Sequence, residues 1–492
     1  MWIDAKLTSC SADKIRRIFQ RIEKNLYLPP GTAGHGFDGY LKINGNDGYI
    51  WDNNPQLVET LKPMVASVRD NPAQILPMFT RDLNNPSPNR DKTQGLFGLP
   101  FHVNQTWGRF SARNIVLDTL NAKKPNGSPK YRLTLKVHSL ATRVLFDNKP
   151  GKKPKATGVE YLEGQSLYSA DPRSNPSTTG TLRQAKARRE VILAAGVFNT
   201  PQLLQLSGIG PAADLAQHNI TVLVDLPGVG KHLQDNQEMP VVGLANEPYT
   251  SIPEPGDPQC TFGFPPDPCI DAWRQGQGPY ARAGSNAHAF MLRTNHSTSN
   301  QVDIFMFGIG NFAFRGYWPF EAVSNIPFDP PGTFGLSMVK INPQNRAGTV
   351  KLRSANPRDT PVINFNLFSQ GGATDLGAMA DVVAWARNAY GGVAAPLGPI
   401  QPTEPPCNGG NCRAGDEQWI KDQAFGHHAV GTCAIGHKDD PDAVLDSKFR
   451  VRGVEGLRVV DGSAFPRVPG AFPVIATFLL GEKAAGEILD DA

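Results

Sequence analysis

Long apolar runs are missing from this sequence: no stretch approaches the roughly twenty residues that cross a bilayer, so no membrane span is expected. The first thirty residues, MWIDAKLTSCSADKIRRIFQRIEKNLYLPP, also lack the apolar centre of a signal peptide. Charge is nearly balanced, at +4 over 492 residues, and no clustered basic face stands out, which argues against nucleic acid as a partner. The one basic run, PGKKPK at 150–155, sits between two strand-like segments and reads as a solvated hairpin loop. Cysteine is scarce, six in all, with no paired C-x-x-C and no histidine at zinc spacing. Internal repeats are absent. Gly 49 and Pro 43 are plentiful without a period, so the chain is rich in turns rather than fibrous.

What is present suits a large globular protein, long enough for two or three domains. Ile15, Ile18, Phe19, Ile22 and Leu26 recur at helical spacing, predicting an amphipathic helix closed by Pro29 and Pro30. YRLTLKV (131–137), TRVLFD (142–147) and ATGVEYL (156–162) read as strands, followed by a polar linker of low complexity. EVILAAG (190–196) reads as a fully buried strand running into the helix NTPQLLQLSG, with Thr200 as N-cap, Pro201 in the first turn and Gly208 at the C-cap. Strand, glycine and helix N-terminus in that order make an α/β element whose main-chain N–H groups face an anion. GIGPAA (208–213) matches a weak dinucleotide fingerprint but follows a helix, and helix punctuation explains it better.

Further on, QVDIFMFGIG reads as a strand, and 335–368 as two strands and an extended segment. Leu376, Met379, Val382, Val383 and Ala386 mark one face of a helix over 375–389. LRVVDGS and ATFLLGEKAAGEIL close the chain as strand and helix. Cys260 and Cys269 flank a proline-rich loop, and Cys407 and Cys412 flank NGGN; local disulfides are expected at both. Asn-x-Ser/Thr at Asn104, Asn126, Asn219 and Asn295 adds weight to an oxidising, secreted setting.

FGHHAVGTC (425–433) carries two adjacent histidines. Metal ligands on one helix face need i, i+4 spacing, and sequence neighbours point apart on helix or strand. At most one of His427 and His428 is therefore expected in a given site, and no metal site is expected.

AAGVFNTPQLLQLSGIGP, GHHAVGTCAIG, and DPDAVLDSKFRVRGVEGLRVVDGSAFPRVPGAFP together resemble the glucose–methanol–choline (GMC) flavin oxidoreductases in order and spacing. HGFDGYLKI (35–43) and GRFSARNIVLD (108–118) are similar to family segments too. The resemblance implies an α/β fold: a discontinuous Rossmann-like FAD-binding domain, and a substrate domain on an antiparallel sheet. Residues 1–245 would be the N-terminal part, with a cap segment at about 45–100; 246–420 the substrate domain; and 421–492 the C-terminal catalytic segment, within a family region of about 335–488. It implies FAD as cofactor, a small-molecule alcohol as substrate, and His428 as the base that takes the hydroxyl proton. An imidazole titrating near about 6.5 suits that work. Asp461 and Gly462 resemble the segment lying along the flavin and pyrophosphate, and Ala141 a position whose backbone meets the adenine. His427 is expected to be a structural neighbour, and Cys433 a small buried residue.

Two departures from the family pattern shape the expectation. No His or Asn occurs from Ser463 to Ala492, where the family supplies a second polar group; Phe472 stands there instead. That points to a bulkier, aromatic-friendly pocket, or to a non-redox relative such as a lyase or cyclase. The strand–G-x-G-x-x-G–helix unit is also absent, as though the chain were an N-terminally truncated member. On that reading the chain as written does not retain FAD, an inactive fragment without bound cofactor is a further alternative, and any secretion signal would lie upstream.

Overall fold

The architecture comes from a computed structural model that describes residues 10–45, 54–249, 260–261, 265–282, 288–317, 329–407, 409 and 411–492. Parts of the expected cap segment and of the expected substrate domain lie outside the described residues. Helix α1 (Ala12–Ile22) buries Phe19 and Ile22, with Asp13 in its first turn and Arg21 in its last, each favourable to the helix dipole. It stops short of Leu26 because β1 (Glu23–Asn25) begins there, paired in parallel with β2 (Leu41–Ile43).

The reason for that stop is electrostatic. Glu23 accepts from the Gly36 N–H at 2.8 Å and from Asn25 Nδ2 at 3.0 Å, and lies 3.1 Å from His35 Nδ1. His35 Nε2 meets Asp82 at 2.9 Å, and the Tyr27 hydroxyl donates to the other Asp82 oxygen. Burial alone would lower the imidazole, but hydrogen bonds to Asp82 and Glu23 outweigh it and raise His35 to about 9.

Helix α2 (Pro55–Ser67) and strand β3 (Gly95–Gly98) come next. Strands β4 (Ser139–Asp147), β5 (Lys155–Glu163) and β6 (Thr181–Lys186) form an antiparallel meander, with 150–155 in the turn region as expected. The polar linker thus ends in a strand that composition did not reveal. YRLTLKV forms no strand: Tyr131, Leu133, Leu135 and Val137 are exposed, with no ladder among the described residues. Strand propensity expresses itself only where a neighbour offers a ladder and a surface to pack on.

Strand β7 (Val191–Leu193) is shorter than predicted and buried on one side only, with Ile192 45% exposed. Helix α3 (Gly196–Leu206) starts before Thr200, which therefore lies inside it together with Pro201. Pro201 has no N–H to give the Val197 carbonyl four residues back. The Thr432 hydroxyl donates to that carbonyl instead, at 2.6 Å. After Gly208 come β8 (Ile209–Gly210), α4 (Ala212–Gln217) and β9 (Val224–Asp225). The α4 N-terminus is met by Asp225, which accepts from the Ala212 N–H, so GIGPAA serves local structure.

The largest sheet is wholly antiparallel. Its order is β16 (Gln401–Glu404), β10 (Glu238–Leu244), β13 (Thr333–Lys340), β12 (Ile304–Gly310), β11 (His288–Leu292) and β3. Alternation along the strands gives it two different faces. Ile304, Met306, Leu336, Met338 and Phe290 pack on α2 and on α5 (Gly372–Gly391), whose five predicted face residues are all buried. Phe305, Val339, Ala289 and Phe97 look the other way, toward Phe472. Strand β17 (Leu457–Val459) pairs in parallel with β7, and α6 (Val474–Asp490) closes the chain. The mixed α/β arrangement with an antiparallel sheet is the one expected.

Both disulfides are present, Cys260–Cys269 and Cys407–Cys412, with Cα atoms 5.3 and 5.8 Å apart. Peptide mapping without reductant, on protein from an oxidising host, should recover these two linked pairs, each worth about 2–3 kcal/mol in the chain-entropy picture. His35→Gln should destabilise the fold by about 3–5 kcal/mol, since it strands buried carboxylates. His35 has its pKa raised, so its contribution is complete below about pH 6.5 and is lost as pH rises through about 9. Thermal melts from pH 6 to 10 should therefore decline in the parent and stay flatter in the variant; equal slopes would refute the assignment.

Candidate active site

The segment containing the histidines is fastened to 234–238 by two antiparallel bridges, Glu238 with Phe425 and Gln234 with Val430. Reciprocal main-chain bonds of 2.8 to 3.0 Å close each bridge. Between them lie three residues on one side, 235–237, and four on the other, 426–429. An extra residue in one strand breaks the alternation of side chains. His427 and His428 consequently turn to the same side, ring centroids 4.0 Å apart. The expectation that they point apart is corrected on this ground.

Two glycines make room for the loop. A Cβ at Gly426 would fall 2.5 Å from the Asp235 carboxyl carbon, and it is Asp235 that accepts the His428 N–H at 2.7 Å. Gly431 turns the chain at φ +99, where a Cβ would also lie 2.5 Å from the His232 carbonyl.

The sheet delivers the opposing groups. Glu238 is paired with Val339, and Val339 with Phe305, so the three form one row across the sheet. One Glu238 oxygen accepts from the Ser337 hydroxyl at 2.9 Å; the other lies 3.1 Å from His427 Nε2. The ring of His427 stands among Phe314, Tyr317 and Phe425, at centroid distances of 6.4, 5.2 and 5.8 Å. Phe472 stands nearly perpendicular to the rings of both His428, at 4.9 Å, and Phe305, at 4.8 Å. Glu238, His427 and His428 each bring one ligand-type atom within 4.8 Å of the others. The His427–Glu238 ion pair already engages two of the three groups.

Burial and charge separate the titrations of the two histidines. Burial would lower His427, but Glu238 and then Asp235 outweigh it and raise the ring. Burial first, then repulsion from His427, lowers His428 to about 3. Burial raises Asp235 to about 7. The Cys433 thiol is fully buried and pushed well up, which leaves it without a nucleophile's character.

Of the other residues singled out in the sequence, Asp461 and Gly462 join this region. The Gly431 N–H donates to the Gly462 carbonyl at 3.2 Å. Asp461 accepts from the Gly196 N–H at 3.0 Å, the Thr200 hydroxyl at 2.6 Å and the Ser463 N–H at 2.8 Å. The anion facing the α3 N-terminus is thus the protein's own carboxylate, so Asp461 organises the loop while main chain is left to face a ligand. Ala141 is set apart, packed on the core around Val191 and Leu193 beside a register shift in β4.

A cavity of about 1550 Å³ opens beside these groups, with Phe97, Met291, Phe305, His427, Phe472 and Phe478 on its wall. It exceeds the roughly 300–1,000 Å³ of a typical small-ligand pocket. Around the two histidines, Gln234 Oε1, Asp235 Oδ2, Asn236 Oδ1, Glu238 Oε2 and His428 Nδ1 are buried without a hydrogen-bond partner among the described residues. Unmet polar atoms cost about 1–3 kcal/mol each, and a polar heteroaromatic ring such as the flavin of FAD carries the donors and acceptors to meet them. The residues present fit that end of FAD. Asp235 and Glu238 were missed in the sequence, although QDNQE, five polar residues ahead of the apolar MPVVG, was a signal of a polar run carried inside.

Comparison with known proteins agrees with this geometry. Residues 124–238 and 343–481, just over half of the chain, match the N- and C-terminal profiles of GMC oxidoreductase. The chain is 32% identical over 418 residues to an oxygen-dependent choline dehydrogenase of Brucella anthropi, covering 82% of this chain and 64% of that protein. It is 30% identical over 375 residues to a glucose methanol choline oxidoreductase of Aspergillus terreus, covering 73% and 55%. The chain thus spans about 64% of the length of the first of these relatives. Among solved structures, formate oxidase of Aspergillus oryzae superposes with a TM-score of 0.75 at 20% identity, covering 98% of this chain and 79% of that one. An FAD-dependent oxidoreductase from Chaetomium thermophilum gives 0.67 at 21%, covering 100% and 82%. The chain belongs to the GMC oxidoreductase family.

Proposed function

We propose that this chain oxidises a small alcohol with an aromatic or similarly flat apolar body, His428 taking the hydroxyl proton. The observation that carries the reading is His428 itself: a buried, neutral imidazole with Nδ1 unpartnered, set nearly perpendicular to Phe472 at the aromatic wall of the cavity. FAD, when bound, accepts the hydride from the alcohol carbon. The chain's own part is to orient and to move the proton. The substrate hydroxyl reaches His428 between the His427 and Phe472 rings, while Phe305 and Met291 hold its apolar body. Asp235 fixes the His428 main chain, and the Gly462–Gly431 contact fixes the turn behind it.

A low pKa keeps His428 unprotonated through the physiological range and makes it a weaker base than the imidazole titrating near about 6.5 that the sequence suggests. Phe472 supplies no second proton acceptor, and that single feature favours the rival reading of a non-redox lyase or cyclase.

In FAD-loaded protein, His428→Ala should slow anaerobic single-turnover flavin reduction by benzyl alcohol by about 10²–10⁴-fold, the usual worth of a positioned base. Single turnover isolates the reductive step from reoxidation. Reduction at the parent rate would remove His428 from the chemistry and favour the rival.

A further inference from the structure

We propose that His427, held by Glu238, is the second protic group of this site: an imidazolium that stabilises the substrate oxygen as it becomes an alkoxide. The proposal rests on the assignment of His428 as base. Four observations lead to it. His427 lines the cavity, whereas His428 lies one ring deeper. Its Nε2 is engaged by a carboxylate that is 1% exposed and is itself fixed by Ser337. Its Nδ1 has no protein partner among the described residues. Finally, the ring packed against His428 from the other direction is Phe472, which has nothing to donate.

The chemistry is a division of labour between neighbouring rings. The substrate O–H bond breaks and its proton forms an N–H bond on His428. Negative charge is left on the substrate oxygen, beside the positive ring of His427, with Nδ1–H as donor. An anion beside the two rings also offsets their mutual repulsion, so the weak base gains strength as the alkoxide forms. Environments that push two titratable groups in opposite directions are the usual mark of such a division. The charged and titratable groups facing His427 are Glu238 and Asp235 from the strand opposite, His428 beside it, and Tyr317 from the adjoining aromatic loop. Asp235 and Glu238 favour its charge, and His428, being neutral, tolerates it.

Benzoate, an aromatic anion with its oxygens where the alkoxide would be, tests this without turnover. Its affinity should fall at least about tenfold in His427→Gln. In Glu238→Gln the pH above which benzoate binding is lost should move down, because the carboxylate that keeps His427 protonated is gone. Flavin reduction should fall about 10-fold or more in both variants, and melting temperatures near the parent's would show that both are folded. Should either variant melt much lower, imidazole NMR titration of the parent gives the same answer: His427 must titrate above His428. The proposal is overturned if benzoate affinity and its pH profile are unchanged in folded variants, or if His427 titrates at or below His428. A parent-like rate in the His428 variant, by contrast, overturns the base assignment and leaves the benzoate result to stand or fall alone.

Discussion

The site depends on a mismatch of one residue. Between the bridges that join 425–430 to 234–238, one strand has four residues and the other three. A regular ladder would have sent His427 and His428 to opposite faces, one to the sheet and one to solvent. With the extra residue, the two rings meet each other, Glu238 meets one of them and Phe472 the other. Everything chemical about the region follows from this local loss of regularity, and the bridges at either end keep it from relaxing.

Such a site is expensive to assemble. Asp235 and Glu238 are nearly wholly buried, and several atoms around them go without a protein partner. The surrounding packing bears that cost: the opposite face of the same sheet rests on α2 and α5 through a continuous apolar layer. The sheet is thus a stabilising floor on one side and a reactive wall on the other, divided by the alternation of side chains along β12 and β13.

Much of this framework was legible in the sequence. The α5 face, the β4–β5 hairpin and both disulfides follow from periodicity or loop chemistry that acts over a few residues. The errors share a cause. Thr200 looked like a cap and lies inside α3, because the counter-charge at that helix end is Asp461, 261 residues away. YRLTLKV looked like a strand and has no ladder among the described residues. His427 and His428 looked set to point apart because the irregularity that turns both rings to one side is a property of two segments far apart in the chain. Patterns within a window report local preference; what a distant partner adds cannot be read from either partner alone.

Pro201 shows how far that dependence reaches. Its missing N–H frees the Val197 carbonyl, and the donor that claims it, Thr432, comes 235 residues later. Asp461 arrives at the start of the same helix after a separation of 265 residues from Gly196. During synthesis from the N-terminus, α3 therefore emerges with an unclaimed carbonyl and no counter-charge, and 234–238 emerges with its polar side chains unmatched. Contacts of such long sequence separation form late and slowly. The pocket beside the two histidines is accordingly among the last parts of the molecule to form, completed only when residues 425–472, in the final seventh of the polypeptide, have left the ribosome and docked. Until then 234–238 lacks the main-chain partners it finds in 425–430, an unpaired strand edge of the kind on which chaperones act.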